Sequence, residues 1–306
     1  MKLKTPSYLK KGDTVAIVAP AGILLNRNEV IEKAKNLLES WDLKVVLGKN
    51  LFQKGNHFAG SDEQRTNDFQ EALNNPKVKA IWCARGGYGS VRIIDLLNFT
   101  EFKKNPKWII GYSDVTVFHN HIHNLGVETL HAMMGTSLQD DIHDIPHTIE
   151  TFKKVLFGEQ LSYSIASSSY NREGNVTGQL VGGNLAILTA MLGSESQIST
   201  DHKILFIEEI GEYEYAIDRM LQSLYRANYF KNVKGIIIGD ISKVKENSTN
   251  WGCAIEELFL NALPKEIPVL FNFPAGHEPD NRALIMGRNI ELSINKDQFS
   301  KINFYE

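Results

Sequence analysis

The chain is poor in features that would assign it to several functional classes. Its 306 residues include only two cysteines, Cys83 and Cys253, without metal-binding or redox spacing, so we expect reduced thiols in a cytoplasmic protein. No apolar run approaches the roughly 18 residues that indicate a membrane span. The apolar stretch near the N-terminus is interrupted by Pro20 and predicts a buried strand, not a secretory signal. A net charge of −3 offers no basic field for nucleic acid or an anionic membrane.

Phosphate-binding and metal-binding motifs are missing as well. The stretch RGGYGS (85–90) lacks the G-x-G-x-x-G spacing, and no P-loop Gly-Lys-Ser/Thr occurs in the sequence. A histidine-rich stretch has no glutamate in the H-E-x-x-H arrangement, and on a helix only its first and third histidines would share a face. We interpret it as a polar helix flank followed by one histidine that ends a strand. These four histidines are His119, His121, His123 and His131. The sequence therefore predicts no metal and no cofactor.

The sequence does contain a regular alternation of strands and helices. The predicted strands of the first half are TVAIVAP (14–20), LKVVL (43–47), KAIWCA (79–84), KWIIG (107–111) and VETLH (127–131). Helical periodicity separates them, and one helix opens with a capping-box pattern at Ser61 and Gln64. The pattern predicts an α/β fold with an N-terminal parallel-sheet domain that carries helices on both faces. We assign residues 1–157 to this domain, 158–176 to a Ser-, Asn- and Gly-rich linker, and 177–306 to a smaller C-terminal α/β domain.

Ser113 lies just after a predicted strand, in the segment WIIGYSDVT (108–116). A serine there suits two roles, because it can cap the following helix or act as a nucleophile on a strand-to-helix turn. In parallel α/β sheets, reacting groups gather at the carboxyl ends of strands, and ARGGYG (84–89) follows another such strand. The elbow motif G-x-S-x-G of α/β-hydrolases is not matched, since Val115 occupies its second glycine position. This mismatch argues against an esterase or lipase.

Two later segments contain a possible acid and a possible base. KILFIEE (203–209) ends a predicted strand on Glu208 and Glu209, and Glu212 follows as a further candidate acid. FNFPAGHEPDNRALIMG (271–287) places His277 in a loop flanked by Pro and Gly. A serine nucleophile, a histidine base and a carboxylate that orients the histidine form the constellation of acyl transfer.

The sequence resembles the LD-carboxypeptidases, a family of serine peptidases that includes the microcin-immunity peptidases. The blocks that carry the resemblance occur in the family's order: GDTVAIVAPAG, ARGGYG, IIGYSD, LVGGNLAIL, LFIEEIGEYEYAIDRML, GIIIGD and FPAGHEPDNRALIMG. They span nearly the whole chain. The resemblance implies that Ser113 is the nucleophile, Glu208 the orienting acid and His277 the base, in a triad shared between the two domains of the chain. It also implies that the enzyme is commonly a homodimer.

The choice between the two adjacent glutamates stays open at this point. Family members usually carry Glu-Asp where this chain has Glu208-Glu209, and the first glutamate is the one that aligns. Successive strand side chains point to opposite faces, so only one of the pair can face His277. The other would face away and pair with a basic residue such as Arg219.

The resemblance also implies an oxyanion hole and a substrate. The backbone N–H of Asp114, with that of Gly87 or Gly86, would stabilise the oxyanion, and Arg85 and Tyr88 are candidate substrate-binding residues. The expected reaction is hydrolysis of an L,D peptide bond, which releases terminal D-alanine from a cytoplasmic murein tetrapeptide during cell-wall recycling. The alternatives are cleavage of a microcin-like peptide-nucleotide or related acyl conjugate, and a non-catalytic muropeptide-binding protein.

Overall fold

A computed structural model describes residues 3–139 and 141–305 of the chain. It divides into two compact units. The first contains the residues up to Glu159 together with Pro279–Ile285, and the second contains Gln160–Glu278 together with the residues from Met286 onward. Within the described residues, no helix combines the length and the apolar character that crossing a bilayer requires.

The strands and helices alternate through much of the chain. The strands, in chain order, are β1 (Thr14–Val18), β2 (Lys44–Leu47), β3 (Val78–Cys83), β4 (Trp108–Gly111), β5 (Thr129–His131), β6 (Ser162–Ile165), β7 (Gly174–Asn184), β8 (Ile204–Ile210), β9 (Gly235–Ser242), β10 (Val269–Leu270), β11 (Leu284–Met286), β12 (Asn289–Ile294) and β13 (Ser300–Tyr305). The helices are α1 (Asn28–Glu39), α2 (Asp62–Asn74), α3 (Thr100–Lys104), α4 (Thr116–Asn124), α5 (Pro146–Leu156), α6 (Leu185–Ala190), α7 (Glu214–Arg226) and α8 (Ile255–Ala262).

The first unit is built on a six-stranded sheet in the order β11-β5-β4-β3-β1-β2. The pairs from β2 to β5 are parallel, as the alternation of strands and helices predicts. The order reverses beside β1, because β2 lies on one side of it and β3 on the other. Since crossover connections are right-handed, α1 and α2 lie on opposite faces of the sheet. The predicted parallel sheet with helices on both faces is therefore confirmed, and ligands of such sheets bind where the order reverses.

The core of this sheet follows from its apolar strands. Every residue of β4 is buried, and in β1 and β3 all but one residue each is buried. Trp82 on β3 and Trp108 on β4 are fully buried; Trp82 packs against Phe152 of α5, and Trp108 stacks on Tyr8. Trp82 donates its indole N–H to the Met133 carbonyl at 2.7 Å, so burial leaves this donor satisfied. The predicted capping box is present at the start of α2, where Ser61 and Gln64 bond reciprocally.

The second unit contains a seven-stranded mixed sheet in the order β10-β9-β8-β7-β12-β13-β6. The strands from β7 to β10 run parallel, whereas β12, β13 and β6 are added in antiparallel fashion. The predicted C-terminal α/β domain is thus present, with its most apolar strands, β8 and β9, near the centre. Their carboxyl ends lie at the same edge, so side chains that follow the two strands come close together.

The structure differs from the predicted linker at residues 158–176. This stretch contains strand β6, which pairs with β13, and it also contains the first residues of β7. Within this Ser-rich stretch, the residues S-Y-S-I alternate between polar and apolar side chains, so Tyr163 and Ile165 are buried and the serines are exposed. The ring of Tyr163 packs edge-on against Phe273 at 5.1 Å between centroids. The structure also differs at Pro279–Ile285, which belongs to the first unit although the sequence places it in the second.

Candidate active site

Ser113 stands on a sharp turn between β4 and α4. Its φ is +61°, in the left-handed region that residues other than glycine rarely adopt. Residues 113–115 form one 3₁₀ turn, whose N-cap is Tyr112, and Val115 is the N-cap of α4. Ser113 therefore does not occupy a capping position, and the N-cap interpretation is wrong. Strained backbone of this kind is typical of functional sites, where it presents a side chain that a relaxed turn would not.

The next residue, Asp114, ties this turn to the glycine-rich loop at 85–90. Its buried carboxylate accepts the backbone N–H of Ser90 at 2.8 Å. Burial raises the pKa of Asp114, and the hydrogen bonds from Ser90 oppose that rise. The carboxylate of Asp114 thus holds the far end of the loop against the turn that carries Ser113.

The backbone of the glycine-rich loop lies beside the Ser113 side chain. A Cβ added at Gly86 would stand 3.2 Å from Ser113 Cβ and 3.3 Å from its Oγ. The Gly86 carbonyl accepts the N–H of Gly22, and a Cβ on Gly22 would lie 2.8 Å from that oxygen. Gly87 follows with a φ of +103°. The approach of Gly22 to this carbonyl needs a residue without a side chain.

A buried arginine that the sequence did not reveal as a site residue is hydrogen-bonded to the backbone of the same loop. Arg65, on α2, donates from Nη1 to the carbonyl of Pro20 and to that of Gly89, the latter at 2.9 Å. Its Nη2 pairs with Asp62. These bonds connect the segment after β1 to the segment after β3. No local sequence signal distinguishes Arg65 from an exposed arginine on a polar helix.

The two candidate substrate-binding residues both lie on the glycine-rich loop. Arg85 is half-buried and donates to the carbonyl of Ile23. Tyr88 is 47% exposed, and its ring lies 5.8 Å from that of Phe58. Their role toward a substrate stays a prediction.

In the second unit, His277 is hydrogen-bonded to Glu208. Its Nδ1–H donates to Oε2 of Glu208 at 2.8 Å; the Glu208 side chain is fully buried, and that of His277 is 14% exposed. Burial lowers the pKa of His277, but the hydrogen bond and the charge of Glu208 outweigh it, so the net pKa is raised. The other oxygen of Glu208, Oε1, is buried with no hydrogen-bond partner among the described residues. The pair is thus an imidazole of fixed orientation backed by a desolvated carboxylate.

Glu209 faces a different set of partners. Its carboxylate accepts from Asn184 Nδ2 at 3.1 Å, from the Ala186 N–H at 2.7 Å and from its own neighbour, the Ile210 N–H, at 2.8 Å. Burial is the main cause that raises the pKa of Glu209 to about 7. The expected pairing with Arg219 is wrong, because Glu209 binds the start of α6 instead. The guanidinium of Arg219 lies over the Tyr215 ring, 5.4 Å from its centroid.

The third candidate acid, Glu212, lies in the turn that follows β8. It is half-exposed, and its backbone carbonyl accepts the N–H of Lys245 at 2.9 Å. The structure therefore gives Glu208, and neither Glu209 nor Glu212, the hydrogen bond to His277.

The histidine-rich stretch is partly buried, unlike the polar flank that we expected. His119 is buried; its Nδ1 accepts the hydroxyl of Thr129 at 2.8 Å, and its Nε2–H donates to the Gly111 carbonyl at 2.9 Å. Burial lowers the pKa of His119 to about 4, so the ring is neutral. The polar interpretation is wrong at His119 because α4 packs this face against the sheet; His131 does end β5, as predicted. Among the described residues, no three or more His, Cys, Asp or Glu side chains form a group that could hold a metal ion.

Two domain models of one protein family match most of this chain. The LD-carboxypeptidase N-terminal domain matches residues 15–132, and the LD-carboxypeptidase C-terminal domain matches residues 177–292. The chain belongs to the LD-carboxypeptidase family. Within this family it is similar to a probable murein peptide carboxypeptidase of Bacillus subtilis, with 35% identity over 297 residues, which cover 94% of this chain and 91% of the relative.

Solved structures agree with the assignment to the LD-carboxypeptidase family. A muramoyltetrapeptide carboxypeptidase from Oxalobacter formigenes superimposes with a TM-score of 0.86 at 28% identity, covering 96% of this chain and 99% of that one. A microcin C7 self-immunity protein, MccF, superimposes with a TM-score of 0.88 at 24% identity, covering 100% and 99% of the two chains. At this identity the second likeness extends to the fold alone.

Proposed function

We propose that this chain is a serine carboxypeptidase that hydrolyses an L,D peptide bond and releases D-alanine from a murein tetrapeptide. The observation that carries the proposal is the hydrogen bond between His277 Nδ1 and the buried Glu208. With Nδ1 protonated, the lone pair of the neutral imidazole resides on Nε2, the atom that acts as a general base in serine peptidases. The strained turn at Ser113 supports the role of nucleophile. The names of the relatives, murein peptide and muramoyltetrapeptide carboxypeptidase, support the substrate class.

In the proposed reaction, Ser113 Oγ attacks the carbonyl carbon of the penultimate residue while His277 accepts the hydroxyl proton. The backbone N–H of Asp114, with that of Gly87 or Gly86, stabilises the oxyanion. The C–N bond then breaks, His277 returns the proton to the amine of the departing D-alanine, and an acyl ester remains on Ser113. Water activated by His277 hydrolyses the ester. Glu208 stabilises the imidazolium in both halves of the reaction.

The proposal includes a cytoplasmic homodimer that acts on peptides recovered from the cell wall. Cys83 and Cys253 are both free thiols, which suits a reducing compartment. Burial raises the pKa of the Cys83 thiol and keeps it unreactive. Light scattering of the purified protein measures the oligomeric state, and a monomeric mass would contradict the dimer while leaving the peptidase assignment in place.

A comparison of substrates tests the proposed reaction. The purified protein is incubated with a murein tetrapeptide, with the corresponding pentapeptide ending in D-Ala-D-Ala, and with a peptide-nucleotide conjugate, and the products are identified by mass spectrometry. We expect D-alanine from the tetrapeptide and no product from the pentapeptide, since the bond cleaved is L,D. Cleavage of the conjugate alone would support the alternative substrate class, and tetrapeptide binding without turnover would indicate a non-catalytic binding protein.

A further inference from the structure

Asp240 binds the loop that carries His277 on both sides of the histidine. It lies near the carboxyl end of β9, the strand next to β8, which carries Glu208. The backbone N–H of Asp240 donates to the Ala275 carbonyl at 2.9 Å. Its carboxylate Oδ2 accepts the N–H of Glu278 at 3.1 Å. One residue thus fixes the backbone two positions before His277 and one position after it.

The loop is packed tightly against this aspartate. Gly276 has a φ of +146°, and a Cβ added there would lie 2.8 Å from Asp240 Cβ and 3.0 Å from its Oδ2. Only a residue without a side chain permits this approach. The contact leaves the main chain before His277 little freedom to shift relative to β9.

We propose that Asp240 is a positioning residue for His277, which fixes the histidine loop through the Glu278 N–H and supports the imidazolium with a second negative charge. The inference rests on the proposed function, in which His277 is the general base. No motif in the sequence analysis assigns Asp240 a role. In the sequence, Asp240 shares one feature with Glu208: both are carboxylates near the carboxyl end of a buried strand.

The charges around Asp240 determine when its carboxylate is ionised. Glu278 faces it from the loop, Glu208 from β8, and His277 supplies the opposite charge. Glu256 on α8 lines the same cavity of about 320 Å³ as Asp240. Burial raises the pKa of Asp240 to about 6; the Glu278 N–H opposes this rise, and the charges of Glu278 and Glu208 add to it. Asp240 is therefore ionised above about pH 7, where a neutral His277 is needed as a base.

Two substitutions separate the hydrogen bond from the charge. Asp240→Asn retains an oxygen acceptor for the Glu278 N–H but removes the charge, whereas Asp240→Ala removes both. We expect the pKa of His277, measured by NMR of histidine-labelled protein, to fall by about half a unit or more in each variant, since a nearby negative charge favours the imidazolium. The acid limb of kcat/KM for D-alanine release should move to lower pH by the same amount. We expect kcat to fall about threefold in Asp240→Asn and about tenfold or more in Asp240→Ala, where the loop also loses its anchor.

Glu278→Gln is the matched control, because it removes one negative charge at an exposed position beside His277. Solvent and salt screen that charge, so the pKa of His277 should move by less than about 0.2 units. An unchanged pKa of His277 in Asp240→Asn overturns the electrostatic role, and equal kcat values for Asp240→Asn and Asp240→Ala overturn the anchoring role. Thermal melts identify misfolding, and Asp240→Leu, which has nearly the shape of aspartate but no acceptor, replaces Asp240→Ala if that variant does not fold. The NMR titration needs no substrate, so it decides the inference even if the protein releases no D-alanine.

Discussion

Replacing Gly86 by alanine tests how closely the glycine-rich loop approaches the Ser113 side chain. The added methyl would lie 3.2 Å from Ser113 Cβ and 3.3 Å from Oγ, whereas carbon atoms normally pack at about 3.5–4.0 Å. The hydroxyl or the loop must therefore shift by a few tenths of an ångström. Because a misplacement of about 1 Å can cost about a hundredfold in rate, we expect kcat to fall about tenfold. Overpacking of this size costs about 1 kcal/mol, or roughly 2–4 °C in melting temperature.

Gly87→Ala is the matched comparison, because it strains the backbone without crowding the Ser113 side chain. Its φ of +103° strains any residue with a side chain, yet the nearest atom to the new methyl is Gly22 Cα at 3.7 Å. The expected cost is about 1–3 kcal/mol of stability, with a smaller loss of kcat than in Gly86→Ala, since the new methyl does not contact Ser113. Rates of D-alanine release and melting curves are measured on both variants. The reasoning is refuted if Gly86→Ala keeps the wild-type kcat, or if Gly87→Ala loses more kcat than Gly86→Ala.

Four further predictions concern the catalytic acid, the pH dependence of stability and metal ions. Glu208→Gln should lower kcat at least about a hundredfold with KM little changed, whereas Glu209→Gln should lower the melting temperature. If Glu209→Gln folds normally but is inactive, Glu209 and not Glu208 is the orienting acid. Because the pKa of Glu209 is raised to about 7, the native state keeps a proton there that the unfolded chain loses. The free energy of unfolding therefore falls as pH rises from about 4.5 to 7. In thermal melts, Glu209→Gln should show a smaller decline over this range. EDTA should leave turnover unchanged, and a loss of turnover restored by zinc would indicate metal-assisted hydrolysis. The lowered pKa of His119, about 4, predicts that stability falls as pH drops from about 6.5 to 4, because only the unfolded chain binds the proton; an equally steep decline in His119→Gln would exclude this histidine as the cause.

The fold could be predicted wherever local patterns and global packing agree. Buried apolar runs with helical segments between them predicted the parallel sheet, and Ser61 with Gln64 predicted the start of α2, which the structure confirms. Strand β6 was not predicted, since its S-Y-S-I alternation is only four residues long and its partner β13 lies far along the chain. The return of Pro279–Ile285 to the first unit also depends on contacts that no local pattern encodes.

The surroundings of the predicted site residues could be predicted only in part. The sequence placed one of two adjacent glutamates beside His277, and Glu208 is the one that is hydrogen-bonded to it. The partners of Glu209 could not be anticipated, because two of them are backbone N–H groups whose positions depend on the tertiary fold. The same holds for Arg65, whose acceptors are the carbonyls of Pro20 and Gly89. Sequence patterns report side-chain types and local spacing. They predict a local bond to the backbone, as in the capping box of Ser61 and Gln64, but not a bond to a distant segment.

The most direct test of the central claim compares wild-type protein with Ser113→Ala on a murein tetrapeptide. The substitution deletes only a hydroxyl, so folding and substrate binding should persist, and binding can be measured by calorimetry. Wild-type protein should release D-alanine, detected by mass spectrometry, and the variant should be slower by several orders of magnitude, as expected when a triad loses its nucleophile. Activity of Ser113→Ala within about tenfold of wild type would contradict the account.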